Sequence, residues 1–445
     1  MAPPSRLTPP QERFNARAVT YVVIASACVI TAALYGLADI FPAHIGSGYI
    51  GLHLLMSGLM FFVWRHQTLT PRQVLYLAIT LCLILFPLSA LTSNDAQRYL
   101  WDGAVFLSGF DPYITAPDNP IVSDLREIWP TPEEHAAYPT LYPPGALSVF
   151  AFCAMAGPIY GFWLWKVILT LTVIASLFLA YDLLRHNKKL HHFCLIGLNP
   201  LLLFEMGAGA HLDVFCVLGI ITALWFVQKD KILLAGVIIG VAATFKFLPA
   251  VIAGPFLFYL KPKKAVKLLL SSSLTWISIY LLMIGLGYKP LGLLPTFFEK
   301  WRGGAPFYPV LEIFQSKTGL SNSQFLFLLS ALAIAGFSMS AWLARKGNIY
   351  IAIIIALAVP LILSPVLFPW YLMSLVPLLA LRPNLTLIAA VTLTPFSYIV
   401  LNKWLSQNIW EPALWPSVVL AVGIIMAMSL DFRAKHALKT PSRQF

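Results

Sequence analysis

The chain has 445 residues, of which 59% are hydrophobic and only 11% are charged, and its mean hydropathy is +0.79. This composition excludes a soluble globular protein and indicates a polytopic membrane protein. The apolar runs are continuous over about 20 residues and do not alternate with polar residues, which excludes a transmembrane β-barrel. The sequence therefore predicts an all-α membrane bundle.

In chain order, the hydrophobic runs predict about fourteen spanning helices, within a range of about 11 to 14. The runs are 18–38, 47–64, 73–91, 160–183, 192–206, 212–228, 231–246, 247–260, 265–287, 324–344, 349–364, 369–381, 385–402 and 414–430. The first run has no clear small-residue cleavage site, so we interpret it as a retained helix. Residues 141–158 are interpreted as a helix on the outer surface, because this choice satisfies the positive-inside rule.

With the N-terminus in the cytoplasm, most of the 30 lysines and arginines fall in cytoplasmic segments. This bias explains the net charge of +12, so no nucleic-acid partner is expected. The whole chain, 1–445, is interpreted as a single integral membrane domain. Its predicted parts are a cytoplasmic tail (1–17), three N-terminal helices (18–91), a non-cytoplasmic loop with surface helices (92–158), the remaining helices (159–430) and a second cytoplasmic tail (431–445).

The five cysteines all lie inside apolar runs and form no C-x-x-C pair. Such cysteines are typical of small buried hydrophobic residues. We therefore expect neither a disulfide framework nor a zinc site, and no other cofactor is indicated.

The only long hydrophilic interval covers residues 93–144. A helix that starts at Asp95 would place Arg98, Tyr99 and Asp102 on the same face, because positions i, i+3, i+4 and i+7 share a face. Charged residues beside spanning helices are costly, so chemistry is expected here. Asp95 and Asp102 are the catalytic candidates, although a rise of about 10 Å separates them. Alternatively, one or both of them are structural, as a cap or as a partner of Arg98, and Asp102 could also lie in a turn that ends the helix.

A second group of polar residues follows the run that ends near residue 206. Glu205, His211 and Asp213 are separated by glycines and alanines, which let polar side chains turn into a cavity. The three residues could imitate metal ligands, but no second histidine lies at ligand spacing. A hydrogen-bonding wall is therefore favoured over a metal site.

Lys166 and Lys246 are single lysines that the sequence places near the outer ends of their helices. They either extend to the membrane surface or bind a phosphate at the interface. Aromatic and basic residues of two further outer segments are typical of the interfacial belt or, alternatively, of ligand contacts. These residues are Trp301, Arg302, Trp370 and Tyr371.

Several different motifs are distributed along residues 90–380. The loop motif is Asp95-x-x-Arg98-Tyr99-x-Trp101-Asp102-Gly103, with Gly109-x-Asp111-Pro112-Tyr113, Ala116-Pro117 and Thr140-Leu-Tyr142-Pro143-Pro144. The other motifs are Asn199-Pro200 with Glu205, Gly209-Ala-His211-Leu-Asp213, Lys246 with Pro249, Trp301, Ser364-Pro365 and Pro369-Trp370-Tyr371. Together they resemble the bacterial GT-C membrane glycosyltransferases, and within that class the polyprenol-phosphate-mannose-dependent mannosyltransferases. The chain departs from that pattern at Asn94, Phe368 and Gly303-Gly304, where the family often has Asp, His and Asn.

The resemblance implies a GT-C-like bundle with its active site on the periplasmic side of the bacterial inner membrane. It implies an inverting transfer of a hexose, taken as mannose, from a polyprenyl-monophosphate donor to a hydroxyl of a lipid-linked or cell-envelope glycan. Asp95 would be the base. Arg98, Lys166 and Lys246 would bind the phosphate, and no metal would be required. The remaining substrate-binding candidates are Tyr99, Tyr142, Glu205, His211, Asp213, Trp301, Arg302, Trp370 and Tyr371.

Two rival functions make different demands on the sequence. A lipid-linked sugar transporter or flippase without catalysis predicts charged residues near the bilayer midplane and paired broken helices in two halves of the chain. Neither pattern is present, because the polar motifs all face away from the cytoplasm. A ligase that moves a whole glycan from a lipid diphosphate would require more than one strong anion site.

Overall fold

A computed structural model of the protein describes residues 18–26, 29, 32, 33, 36, 40–129, 131, 133 and 136–437. Within these residues the secondary structure is helical, apart from an isolated bridge between Gly303 and Val366. The all-α prediction is therefore confirmed. The first predicted span and the two predicted tails lie wholly or partly outside the described residues.

The α-helices of the N-terminal half, in chain order, are α1 (Ile45–His66), α2 (Pro71–Leu85), α3 (Asp95–Leu107), α4 (Ser123–Ile128), α5 (Pro144–Ala154), α6 (Gly157–His186), α7 (Cys194–Gly197), α8 (Pro200–Phe204), α9 (Val214–Gln228) and α10 (Ile232–Ala243). Those of the C-terminal half are α11 (Ala253–Tyr259), α12 (Pro262–Gly285), α13 (Leu294–Lys300), α14 (Tyr308–Thr318), α15 (Asn322–Arg345), α16 (Ile349–Leu363), α17 (Val376–Leu381), α18 (Leu385–Leu393), α19 (Leu401–Gln407) and α20 (Trp415–Ala437).

Tighter or wider helical turns connect several of these helices. Short 3₁₀ helices are Pro42–His44, Pro120–Val122, Leu190–His192, Leu248–Ile252, Pro369–Leu375 and Thr394–Val400. A π-helical turn covers Glu205–Gly209. Such π turns inside helical segments are frequent at functional sites.

Seven helical segments in the described part are long and apolar enough to cross a membrane. They are Pro42–His66, Gly157–His186, Leu190–Gly209, Pro262–Gly285, Asn322–Arg345, Leu385–Gln407 and Trp415–Ala434. The other predicted runs after residue 40 contain apolar helices of 10–17 residues. The protein is thus a polytopic helical membrane protein in which several of the predicted spans are shorter than expected.

Burial separates the centre of the bundle from its edge. The most apolar window of the Leu190–Gly209 segment is 94% buried inside the protein, whereas that of α15 is only 6% buried. Because most apolar side chains of α15 are not buried within the protein, they must be covered by lipid in a membrane. The π turn and its polar residues therefore lie in the most protected part of the molecule.

Local signals explain where several helices begin. Pro71 and Pro144 occupy the first turn of α2 and α5, where a proline loses no hydrogen bond. Thr70 and Gln73 form a capping box at the start of α2. Helix α5 has 11 residues and so rises about 16 Å, too little to cross a hydrocarbon core of about 30 Å. Other apolar helices of the protein are equally short, so the outer-surface position of residues 141–158 stays a prediction.

Helix α3 continues to Leu107, so the alternative that Trp101-Asp102-Gly103 ends the helix is wrong. Gly103 instead allows α3 to pack closely on α5. A Cβ atom at this position would lie 2.4 Å from the backbone carbonyl of Phe150. The close contact packs α3, whose first residue is Asp95, against α5.

Candidate functional site

The described residues enclose a cavity of about 550 Å³. Ten of the fourteen predicted site residues line it, and these are Asp95, Arg98, Tyr99, Tyr142, Asp213, Lys246, Trp301, Arg302, Trp370 and Tyr371. The other four, Asp102, Lys166, Glu205 and His211, are buried behind the wall. The structure thus brings together residues from the loop, from the turn after Leu190–Gly209 and from the C-terminal half.

Asp95 is the first residue of α3, and its side chain is 20% exposed. The hydroxyl of Tyr99, one turn later, donates to its Oδ2 atom at 3.4 Å. The N-terminus of a helix carries partial positive charge, which stabilises a carboxylate there. The Asp95 carboxyl therefore reaches the cavity from a position that favours its charged form.

His211 lies directly behind Asp95 and is fully buried. Its Nδ1 atom is 3.5 Å from Asp95 Oδ2, and its Nε2 atom is 3.5 Å from Glu205 Oε2. Thr92 Oγ1 lies 3.3 Å from the same Nε2. The ring stacks on Trp370 with 3.7 Å between centroids and an interplanar angle of 16°. The imidazole is thus held in one plane between two carboxyl groups.

Glu205 is fixed by two tyrosines at the opposite end of this arrangement. Tyr398 and Tyr49 donate to its Oε1 atom at 2.7 and 3.1 Å. The π turn carries Glu205 and Gly209 together, and a Cβ atom on Gly209 would lie 2.5 Å from both Glu205 Oε2 and His211 Cδ2. A glycine at this position lets the carboxyl and the imidazole approach each other.

Lys246 provides a cation in the cavity wall. Its ammonium donates to Asp213 Oδ1 at 2.7 Å and lies 3.8 Å from the centroid of the Tyr371 ring. The lysine side chain is 24% exposed, whereas that of Asp213 is 1% exposed. An ammonium has three donors, and only one is required by Asp213. Lys246 is therefore suited to an anion that enters the cavity.

Asp102 does not reach the cavity. It accepts hydrogen bonds from Arg98 Nε at 2.8 Å and from Thr140 Oγ1 at 2.6 Å. Arg98 also donates from Nη2 to the carbonyl of Tyr138 at 2.7 Å. Of the two roles that the sequence left open for Asp102, these contacts favour the structural one. Asp102 orients the guanidinium that forms part of the wall.

Lys166 is also removed from the cavity wall, although the sequence placed it near the outer end of its helix as a phosphate binder. It is fully buried in α6, and its ammonium donates to the carbonyl of Gly207. The π turn leaves such carbonyls without their usual helical partners. The contact indicates that Lys166 supports the turn that carries Glu205.

Aromatic residues complete the wall. Tyr142 meets Tyr99 edge to face, with 5.0 Å between centroids. Burial, with a smaller effect from Asp95, raises the pKa of the Tyr142 phenol well above its ordinary value, so the phenol remains protonated. Trp301 packs on Tyr138 at 4.8 Å, and Arg302 pairs with Glu312 at 2.8 Å.

The cavity contains residues that the sequence did not single out as site residues. They are Ser93, Asn94, Glu133, Tyr138, Pro139, Leu141, Leu212, Leu293, Phe297, Lys300, Phe368, Trp404, Asn408 and Trp410. The sequence signal that could have identified some of them is the pair Trp404 and Trp410, which flanks Asn408 just after a predicted span. Such tryptophans are also typical of the interfacial belt, so spacing alone did not distinguish the two roles.

The described residues contain no group of three or more His, Cys, Asp or Glu side chains arranged to hold a metal ion. The model of the MptA_B family, alpha-(1->6)-mannopyranosyltransferase, N-terminal domain, matches residues 19–261. The chain belongs to this family. No curated protein matches it significantly. The protein is therefore a membrane glycosyltransferase that transfers mannose, as the motif resemblance predicted.

The matched segment of this mannosyltransferase supplies most of the charged residues of the site. Asp95, His211, Asp213 and Lys246 all lie within residues 19–261. The aromatic half of the cavity comes mainly from the remainder of the chain. A complete site therefore requires both parts of the mannosyltransferase.

Proposed function

We propose that the protein transfers mannose from a polyprenyl-monophosphate donor to a hydroxyl of a lipid-linked or cell-envelope glycan, with inversion at the anomeric carbon. The observation that carries this proposal is one cavity lined by both the Asp95 carboxylate and the Lys246 ammonium. A base and an anion-binding cation are what a transfer from a phosphate leaving group requires.

In the proposed reaction the acceptor oxygen attacks the anomeric carbon while the bond from that carbon to the phosphate oxygen breaks. The hydroxyl proton moves to Asp95, and the polyprenyl phosphate leaves as an anion beside Lys246 and Arg98. Phosphate is a good leaving group, so the reaction needs no second carboxyl as an acid, unlike glycoside hydrolysis. The buried position of Asp102 is compatible with this requirement.

His211 would position Asp95 for this step. The Nδ1 atom of His211 faces Asp95 Oδ2 at 3.5 Å, and Thr92 Oγ1 lies 3.3 Å from the opposite ring nitrogen. The stacked Trp370 holds the imidazole in the plane that reaches both carboxyl groups.

The membrane setting supports a lipid-linked donor. A polyprenyl chain dissolves in the bilayer, and its phosphate lies at the interface, so an enzyme of spanning helices can reach both. The lysine and arginine distribution supports an active site on the periplasmic face of the inner membrane. We also propose that residues 1–445 act as one domain, because residues on both sides of position 261 line the cavity.

The test is transfer by the purified protein in lipid nanodiscs, with polyprenyl-phosphate mannose as donor and a small mannoside as acceptor. We expect a mannosylated product, and a β-linked donor should give an α-linked product because a single displacement inverts the configuration. GDP-mannose without polyprenyl phosphate should give no product. Product from that nucleotide sugar would refute the lipid donor, and translocation of the donor without any product would support a flippase.

A further inference from the structure

Five rings form a continuous series that starts beside Asp95. The His211 ring stacks on Trp370 at 3.7 Å, and Trp370 stacks on Phe368 at 4.5 Å. Phe368 meets Trp410 at 6.3 Å, and Trp410 meets Trp404 at 5.7 Å, both edge to face. We call the four rings from Trp370 to Trp404 the aromatic path.

The aromatic path faces the cavity. All four of its rings line the cavity, together with the polar side chains of Asn408 and Arg302. Trp415 has a different position, since it is 46% exposed and contacts Phe396 instead of lining the cavity. Flat apolar rings with a few polar groups are suited to a ligand that has both an apolar face and hydroxyl groups. A pyranose sugar has this chemistry.

The outer end of the aromatic path lies at the end of the apolar Leu385–Gln407 segment, beside charged residues. Trp410 is 43% exposed, and Lys403 and Glu411 form an exposed ion pair beside it at 2.6 Å. An ion pair of this kind is costly inside the bilayer core. The occupant of this end is therefore a water-soluble part of a substrate and not the polyprenyl tail of the donor.

We propose that the aromatic path is an acceptor subsite that binds the sugars preceding the one that reacts. The reacting sugar would place its hydroxyl at Asp95, and the next sugars would lie outward against Phe368, Trp410 and Trp404. This inference rests on the proposed function. It assigns acceptor specificity to residues beyond the segment that the family model matches.

The experiment compares acceptors of one, two and three mannose units at saturating polyprenyl-phosphate mannose. We expect the wild-type kcat/KM to rise with acceptor length. Trp410→Ala should reduce the ratio of kcat/KM for the three-sugar acceptor to kcat/KM for the one-sugar acceptor. The expected reduction is about 2- to 12-fold, which corresponds to the free energy of one aromatic contact. Trp404→Ala should act in the same direction, and Trp410→Phe should keep most of the ratio. Trp415→Ala is the matched control and should keep the wild-type ratio.

The outcomes distinguish this inference from the proposed function. Transfer that proceeds equally well to one-sugar and three-sugar acceptors would overturn the subsite and leave the proposed reaction intact. A Trp410→Ala defect that depends on the length of the polyprenyl chain would assign the aromatic path to the lipid and would also overturn it. Absence of transfer to every acceptor would refute both the acceptor subsite and the proposed reaction.

Discussion

Replacing Lys246 by methionine tests the electrostatics of the cavity wall most directly. The sequence shows Lys246 as a lone cation, whereas the structure pairs it with a carboxylate that is 1% exposed. Methionine keeps much of the apolar stem but removes the charge. The variant therefore leaves Asp213 in the protein interior without its cation, and the cavity loses its proposed phosphate contact.

The cost follows from the burial of the pair. Removing one partner of a buried ion pair costs about 3 to 5 kcal/mol, because the remaining charge is left uncompensated. The lysine side chain is 24% exposed, so water screens part of the interaction. We therefore expect Lys246→Met to lower the free energy of unfolding by about 3 kcal/mol, at the low end of that range.

The assay is equilibrium unfolding in mixed micelles, with the donor KM measured in parallel. The double variant Lys246→Met/Asp213→Asn should recover most of the stability, because an asparagine carries no charge to bury. It should not recover donor binding, since the ammonium is still absent. Lys403→Met is the matched control, because it removes a cation from the exposed pair with Glu411 and should leave stability unchanged.

Two results would refute this reasoning. If Lys246→Met unfolds at the same denaturant concentration as the wild type, the Lys246–Asp213 pair does not stabilise the fold. If the stable double variant binds the donor with an unchanged KM, Lys246 does not bind phosphate.

Three further predictions follow from the site and the fold. Asp95→Asn should lower turnover by at least about a hundredfold while the protein still folds and binds the donor. The control Asp118→Asn, at an exposed position, should retain activity, and normal turnover of purified Asp95→Asn would refute Asp95 as the base. Cysteines at the exposed positions Asp118 and Lys317 should react with an impermeant thiol reagent from the periplasmic side, whereas a cysteine at Lys263 should not. The reverse labelling pattern would show that the topology is the opposite of the proposed one. Gly103→Ala should destabilise the protein by about 1 to 3 kcal/mol, since its Cβ would overlap the Phe150 carbonyl; unchanged thermal stability would contradict the tight contact between α3 and α5.

The helix that carries Asp95 was predictable because its information is local. Helical spacing alone puts Asp95, Arg98 and Tyr99 on one face, and all three line the cavity. The hydrophobic runs likewise located the apolar helices after residue 40. Their lengths were less predictable, because turns at residues such as Pro249 break the chain inside continuous apolar stretches.

Pairings between distant residues were not predictable. Lys246 and Asp213 are 33 positions apart, and Tyr398 and Glu205 are 193 positions apart. The sequence gives Lys166 and Lys246 similar surroundings, yet the fold buries the first against a backbone carbonyl and places the second in the cavity wall. The hydrophobic periodicity of the sequence does not predict which of two similar lysines will face a cavity.

By itself, the sequence determined that this is an all-α membrane protein and a mannosyltransferase, because hydrophobic run length and short motifs are properties of neighbouring residues. The tertiary structure alone decided that Asp102 orients Arg98, that Lys166 supports the π turn, and that the tryptophans after α18 line the cavity. Those outcomes depend on how helices far apart in the chain pack against one another. Packing of that kind is set by the complementary shapes of whole helix surfaces, which no local pattern of residues specifies.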